Sequence, residues 1–97
     1  MNYLAVFKAL ANPYRLKILG ALSDKPRTIT DLSRLLKISS PLVSIHLRKL
    51  MEAGLVRKGE RETVERKPDP PLNKLYYEVA DFNFELNPEA LEKEVSL

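Results

Sequence analysis

Short hydroxyl side chains and long cationic ones recur between residues 40 and 49, at spacings that bring them together on one side of a helix. At about 100° per residue, Val43, Leu47 and Leu50 fall on an apolar side that points into a core. The side chains that point away from it or flank it are Ser40, Pro41, Ser44, Ile45, Arg48, Lys49 and Glu52. Serine hydroxyls donate to or accept from base edges, and cationic side chains bind guanine or phosphate. The pattern therefore indicates a helix that reads double-stranded DNA.

The front of such a helix enters the major groove, so the first side chains of this set are expected to carry the sequence readout. The side chains predicted to lie nearest to the bases are Ser40, Pro41, Ser44 and Ile45. An exposed Ile45 can contact a thymine methyl group, and the alternative is that it packs on a neighbouring helix. Arg48 is expected to reach a guanine edge or a phosphate, and Lys49 to bind phosphate.

Residues 28–56 contain the signals of two short helices joined by a tight turn. Thr30 is expected to cap the first helix. The apolar stripe of that helix consists of Leu32, Leu35 and Leu36. Ser39 or Ser40 caps the second helix, and Gly54 stands where a left-handed C-cap belongs. This order is that of a helix-turn-helix, whose second helix is the recognition helix.

Two further helices are predicted before this motif. Asn2 is an N-cap signal for a helix over residues 2–11, and Asn12 followed by Pro13 begins a helix over residues 13–22. The buried side of the second helix is predicted to consist of Leu16, Ile18, Leu19 and Leu22. Gly20 interrupts this helix, and close packing of a neighbouring helix is its expected reason.

A two-stranded wing and a last helix are predicted after the motif. Residues 55–63 and 75–82 are rich in β-branched and aromatic side chains, and the proline-rich residues between them form a long tip. Basic wing residues that can reach the DNA backbone or the minor groove are Arg57, Lys58, Arg61, Arg66 and Lys67. The alternative is a hairpin kept soluble by charge, and interleaved glutamates favour it. Asn87 and Pro88 then mark a helix over residues 88–96.

These elements predict a fold that is mainly α with a small β-hairpin, an α+β winged helix-turn-helix with five helices and a long wing. The length of 97 residues suits a single DNA-binding domain over residues 1–97. The net charge is +4 over residues 1–30, +4 over residues 31–67 and −5 over residues 68–97. The first two-thirds of the chain therefore suit a polyanion, and the last third does not.

Composition also limits the chemistry. Cysteine is absent, which excludes disulfides and thiolate metal sites, and His46 is the single histidine. His46 is expected to pack or to contact phosphate, and no metal or cofactor is expected. No nucleophile–base pair, phosphate loop or carboxylate dyad stands out, so an enzyme is not expected. No apolar run approaches 18 residues, the N-terminus lacks a signal peptide, and a cytoplasmic location is expected. The lack of Cys and Gln beside many Lys, Arg and Glu is typical of thermophiles.

The chain contains the stretches FKALANPYRLKILGAL, SSPLVSIHLRKLMEAGLVRK and LYYEV. Over most of residues 2–80 these stretches resemble the ArsR family of winged-helix repressors. The resemblance implies a homodimer that uses its first and last helices, repression of its own gene or of an operon, and base contacts from Ser40, Pro41, Ser44 and Ile45. Family members often sense metals through cysteine or histidine clusters, and those ligands are missing here.

A dimer also has a physical rationale in the two end helices, over residues 2–11 and 88–96. Their apolar side chains, which a small domain covers poorly, are Tyr3, Leu4, Phe7, Leu91 and Val95. Two-fold symmetry would set two recognition helices about 34–36 Å apart and predict a near-palindromic site. We therefore predict a homodimeric, sequence-selective regulator that represses transcription. The alternatives are a protein-interaction module of a larger transcription or RNA-processing complex, and an RNA-binding protein.

Overall fold

The computed structural model describes residues 2–63 and 73–95, and within them it contains five helices and one two-stranded antiparallel sheet. In chain order the elements are α1 (Tyr3–Leu10), α2 (Pro13–Asp24), α3 (Ile29–Leu36), α4 (Ser40–Glu52), β1 (Val56–Thr63), β2 (Asn73–Val79) and α5 (Pro88–Val95). The predicted winged helix-turn-helix architecture is confirmed, with α3 and α4 as the helix pair and β1–β2 as the wing. The predicted wing tip, residues 64–72, lies outside the described residues.

Asparagine and threonine side chains begin the first three helices. Asn2 accepts a hydrogen bond from the Ala5 amide, and Asn12 caps α2 with Pro13 at its first position. The predicted cap of α3 was wrong by two residues, because Thr28 and not Thr30 begins it. Thr28 Oγ1 accepts from the Asp31 amide, and Asp31 Oδ2 accepts from the Thr28 amide, both at 3.1 Å. This reciprocal capping box pairs two amides that a cap at Thr30 would leave unpaired.

The C-terminus of α4 is built around Gly54, whose φ of +79° is left-handed, as predicted. The Gly54 amide donates to the Met51 carbonyl and the Leu55 amide to the Leu50 carbonyl, both at 3.0 Å. These two bonds form a Schellman motif, and Leu55 is fully buried against the core. Nothing in the described part of the chain requires a glycine at position 20 in the same way. A Cβ added to Gly20 meets no atom within 4 Å, so the prediction of close helix packing was wrong.

The two glycines give opposite expectations for substitution by alanine. Gly20→Ala should raise the free energy of unfolding by about 0.5–1 kcal/mol, because α2 gains helix propensity and the methyl group has open space. Gly54→Ala should lower it by about 1–2 kcal/mol, because a Cβ is strained at positive φ. Urea unfolding of both variants measures the difference, and a stabilised Gly54→Ala protein would contradict the left-handed cap.

The core lies between the helices and the inner face of the wing. Its most deeply buried side chains are Val6, Ile18, Leu32, Val43, Leu47, Leu50 and Leu55. Leu16 and Leu35 were predicted to be buried, but each is 53% exposed. Leu16 lies nearly opposite the Ile18–Leu22 stripe on α2, at about 100° per residue, so it faces outward. The stripe that α2 buries is therefore narrower than its apolar composition indicates.

Main-chain hydrogen bonds connect the base of the wing to the segment between α2 and α3. β1 and β2 pair with Val56 opposite Val79 and Lys58 opposite Tyr77, and the register shifts between Lys58 and Arg61. On the other edge of β2, the main chain of Arg27 exchanges hydrogen bonds of 2.8 and 3.0 Å with Tyr77. This contact is a single isolated bridge. Among the described elements, no helix combines the length and apolarity that a membrane span requires.

Candidate nucleic-acid interface

The outer face of α4 is open to solvent. Val43, Leu47 and Leu50 are buried beneath it, as the spacing predicted. Of the six α4 side chains in the predicted site, Ser44 is half-buried. The other five are exposed: Ser40, Pro41, Ile45, Arg48 and Lys49. Ile45 is 47% exposed, so it contributes surface to this face and is not a core residue. A small-residue front end and a cationic rear end thus share one accessible side of the helix.

The turn between α3 and α4 holds the front of α4 rigidly. Lys37 ends α3 with a left-handed φ of +57°, and its amide donates to the Ser33 carbonyl. The Ser33 hydroxyl in turn donates to the Ile38 carbonyl at 2.6 Å. Ser39 Oγ then accepts from the Leu42 amide at 3.3 Å, which makes Ser39 the cap of the recognition helix. The sequence analysis missed Ser33, because its partner is a main-chain carbonyl that carries no sequence signal.

His46 lies beneath the outer face of α4 and is 7% exposed. The Tyr14 ring stacks on its imidazole, with ring centroids 5.8 Å apart. Arg15 Nη1 lies 3.5 Å from His46 Nδ1, and because a guanidinium only donates, Nδ1 is the acceptor of this long contact. His46 therefore packs, which was one of its two predicted roles. Burial, and secondly the Arg15 charge, lower the pKa of His46 below its ordinary value of 6.5.

This lowered pKa predicts a loss of stability in mild acid. The unfolded chain takes up a proton at His46 as the pH falls through 6.5, and the folded protein does so only at lower pH. The free energy of unfolding should therefore be highest above pH 6.5 and fall below it, until the folded protein is also protonated. His46→Asn is the control, since it should remove this part of the pH dependence in urea unfolding. A stability that rises from pH 7 to pH 6 would contradict the environment of His46.

The wing cations differ in their surroundings. Arg57 Nε lies 2.9 Å from Glu78 Oε1 on the neighbouring strand, and Arg57 Nη1 lies 3.9 Å from Asp81 Oδ2. Glu78 thus pairs directly with Arg57 and Asp81 lies at the distance limit of an ion pair, whereas Lys58 is exposed and has no ion pair among the described residues. Arg61 lies opposite Leu75 beyond the register shift. The two remaining cations of the predicted set, Arg66 and Lys67, lie outside the described residues.

The predicted dimer residues come together at one cleft between α1 and α5. The cleft has a volume of about 400 Å³, and its lining includes Tyr3, Leu4, Phe7, Leu91 and Val95. Leu4 and Val95 are 64% and 63% exposed, so this apolar surface is largely uncovered in one copy. The Tyr3 hydroxyl donates to the Glu85 carbonyl at 2.8 Å.

Phe84 supports this cleft from the segment that precedes α5. The centroid of its ring lies 5.6 Å from the ring centroid of Tyr3 and 6.3 Å from that of Phe7. The sequence analysis missed Phe84, because it stands in no regular element and has no periodic neighbours. Within the part of the chain that the structure describes, no group of three or more His, Asp or Glu side chains is arranged to hold a metal ion.

Comparison with known proteins places these features in context. Residues 12–58 match the family profile of the bacterial regulatory proteins of the arsR family. An uncharacterized HTH-type transcriptional regulator of Methanocaldococcus jannaschii is 35% identical over 91 residues, which cover 89% of this chain and 84% of that protein. A transcriptional repressor of Synechocystis, a homolog of SmtB, is 38% identical over 77 residues. That match covers 77% of this chain and 58% of the repressor's length.

Solved structures of the same architecture are also similar. One is the solution structure of a homodimeric winged helix-turn-helix DNA-binding domain from Mycobacterium bovis, described as a possible ArsR-family transcriptional regulator. It superimposes with a TM-score of 0.66 at 28% identity, over 82% of this chain and 65% of that one.

Proposed function

This chain belongs to the ArsR family of transcription regulators, and from that premise we propose that it represses transcription by binding double-stranded DNA sequence-selectively as a homodimer. The open outer face of α4 is the observation that supports this most strongly. The repressor role is supported by the relative from Synechocystis, which is named as a transcriptional repressor. The whole chain, residues 1–97, acts as one DNA-binding domain in this proposal.

In this proposal the front of α4 lies in the major groove. Ser40 and Ser44 offer short hydroxyls that approach base edges closely, and Ile45 offers a methyl surface for thymine. Pro41 occupies an early position where its missing N–H costs no hydrogen bond, and the positive end of the helix dipole at this first turn favours a nearby phosphate. Arg48 reads a base edge or binds phosphate, and Lys49 binds phosphate.

The wing contributes backbone contacts in this proposal. Lys58 is the best placed of its described cations, because it is exposed and without an ion pair in that part of the chain. Arg57 must leave Glu78 and Asp81 before it can bind phosphate, which lowers its expected contribution. Arg61, Arg66 and Lys67 complete the proposed set of phosphate-binding or minor-groove residues.

The terminal helices, over residues 2–11 and 88–96, form the proposed dimer interface. Its proposed residues are Tyr3, Leu4, Phe7, Leu91 and Val95. Support comes from the uncovered apolar cleft, and from the similar Mycobacterium bovis domain, which is homodimeric. Burying Leu4 and Val95 against a second copy stabilises the assembly at about 25 cal/mol per Å² of apolar surface.

Selection of bound sequences from a random DNA pool, followed by a salt titration on the selected site, tests this function. A near-palindromic consensus is expected, and log affinity should fall by about 0.9 per log unit of salt for each neutralised phosphate. An unselective pool would overturn sequence-selective binding. Capture of a protein partner without any DNA complex at low salt would favour an interaction module instead.

Arg48→Ala is expected to weaken binding to the selected site by about 1–3 kcal/mol and to relax the preference at one base pair. The reason is that Arg48 is exposed on the outer face of α4, about one helical turn beyond Ser44 and Ile45. Lys49→Ala is the matched comparison on the adjacent position, and it should weaken binding to selected and scrambled DNA equally. Fluorescence anisotropy on both sequences separates the roles. Equal losses with Arg48→Ala would make Arg48 a phosphate contact.

A further inference from the structure

The residues that begin α2 contact three helices at once. Asn12 Oδ1 accepts from the amides of Tyr14 and Arg15, at 2.9 and 3.2 Å, and so fixes the first turn of α2. The two side chains that this cap places next, Tyr14 and Arg15, are the two that contact His46 of the recognition helix. The cap thereby sets where both groups stand relative to α4.

Arg15 also reaches back to α1. Its Nε donates to the Ala9 carbonyl at 2.6 Å, and its Nη2 donates to the Lys8 carbonyl at 3.3 Å. Both carbonyls belong to the last turn of α1, where backbone partners are scarce: the Lys8 carbonyl accepts a long bond of 3.4 Å from the Ala11 amide, and Arg15 adds a donor to each. A planar guanidinium holds these bonds in a fixed fork, so the direction of Arg15 is set by the end of α1.

The third nitrogen of the same guanidinium, Nη1, points to α4, where it lies 3.5 Å from His46 Nδ1. His46 directly follows Ser44 and Ile45 in the chain, and both of these belong to the proposed base-reading set. Elsewhere α1 and α4 are not tightly packed. A cleft of about 320 Å³ lies between them, lined by Ala5, Ala9 and Ala53 and by the longer side chains of Lys8, Arg15, Lys49 and Glu52. Arg15 therefore spans an open junction between the two helices.

We propose that Arg15 is a positioning residue: it fixes the angle between the dimer helix α1 and the recognition helix α4, and thereby the half-site spacing that the dimer accepts. This inference rests on the proposed function. Two copies joined through α1 repeat any tilt of α4 on both sides of the two-fold axis. A change of angle at each junction therefore alters the separation of the two recognition helices, which must match about one DNA turn.

A spacing series tests the proposal directly. Palindromic DNA carrying the selected half-sites is prepared with the selected spacing and with one base pair removed or added, which changes the separation by about 3.4 Å and a tenth of a turn. The wild-type protein should prefer the selected spacing by about tenfold or more over its neighbours. Arg15→Ala should reduce this preference to about threefold or less, while binding to an isolated half-site stays within about twofold of wild type.

Arg27→Ala is the matched control. Arg27 also donates its Nε to a carbonyl near the end of a helix, that of Ala21 in α2 at 3.0 Å, and it pairs with Asp24. Arg27 makes no hydrogen bond or ion pair with α4 in the described residues. Its substitution should therefore lower stability as Arg15→Ala does and leave the spacing preference unchanged. A purely structural role for Arg15 would make the two variants behave alike.

His46→Leu removes the other end of the contact while it leaves the bonds of Arg15 to α1 in place. It should relax the spacing preference as Arg15→Ala does, and it keeps the proposal testable if Arg15→Ala does not fold. A sharp spacing preference in either folded variant would overturn the inference and leave the proposed function intact. A wild-type protein without any spacing preference would overturn dimeric recognition, and this inference with it.

Discussion

Replacing Leu4 with arginine is expected to convert the protein from a dimer into a monomer and to weaken binding to a full palindromic site by about 10²–10⁴-fold. Leu4 is 64% exposed and lines the apolar cleft between α1 and α5. In a two-fold interface the same position occurs twice, so dimer formation would bury two arginine charges in one apolar surface. The loss of hydration of both guanidinium groups opposes association. The loss of affinity arises because the second half-site is then no longer held in place by the first.

Leu16→Arg provides the matched comparison, because Leu16 is 53% exposed on α2 and lies outside that cleft. It should leave the dimer intact. Light scattering gives the oligomeric state, and anisotropy titrations on full and half sites give the two affinities. If Leu4→Arg remains dimeric, or if Leu16→Arg dissociates equally well, the interface lies elsewhere on the surface.

Leu50→Ala is expected to lower the free energy of unfolding by about 2–5 kcal/mol, a large share of the roughly 5–15 kcal/mol typical of a whole domain. Leu50 is fully buried on the inner side of α4, and its truncation leaves a cavity that the surrounding side chains cannot fill completely. DNA binding should fail on heating well before it does in the wild type, because α4 loses the support that fixes its outer face.

Leu35→Ala removes the same atoms from an exposed site. Leu35 is 53% exposed on α3, so its truncation should change stability by about 0.5 kcal/mol or less. Urea unfolding gives the loss in free energy of unfolding for both variants, and the difference between the two losses measures the effect of burial on the same leucine-to-alanine change. Similar losses at the two positions would show that the side of α4 that carries Leu50 is not the one buried in the core.

The recognition helix could be predicted well because its signals are local. The serine cap, the proline in the first turn and Gly54 at the C-terminus each act within a few residues, and the apolar spacing of Val43, Leu47 and Leu50 identifies the buried side. The start of α3 was predicted two residues late, because Thr28 and Thr30 are equally good caps in isolation. Only the reciprocal bond with Asp31 decides between them.

Contacts between distant residues could not be predicted in the same way. The pairing of Arg57 with Glu78 depends on the strand register, and Arg57 and Lys58 look alike in the sequence. The bond network of Arg15 depends on how α1, α2 and α4 cross, which no local pattern encodes. The sequence thus shows which residues are cationic, whereas the three-dimensional structure shows which of the described ones are already paired with a carboxylate.

The bridge between Arg27 and Tyr77 has a consequence for how this fold can vary. It ties β2 to the chain directly ahead of Thr28, the residue that starts α3, so the wing is anchored beside the helix pair. Residues inserted or deleted farther out along the hairpin leave that anchor in place. The length of the wing can therefore change without reorienting α3 and α4.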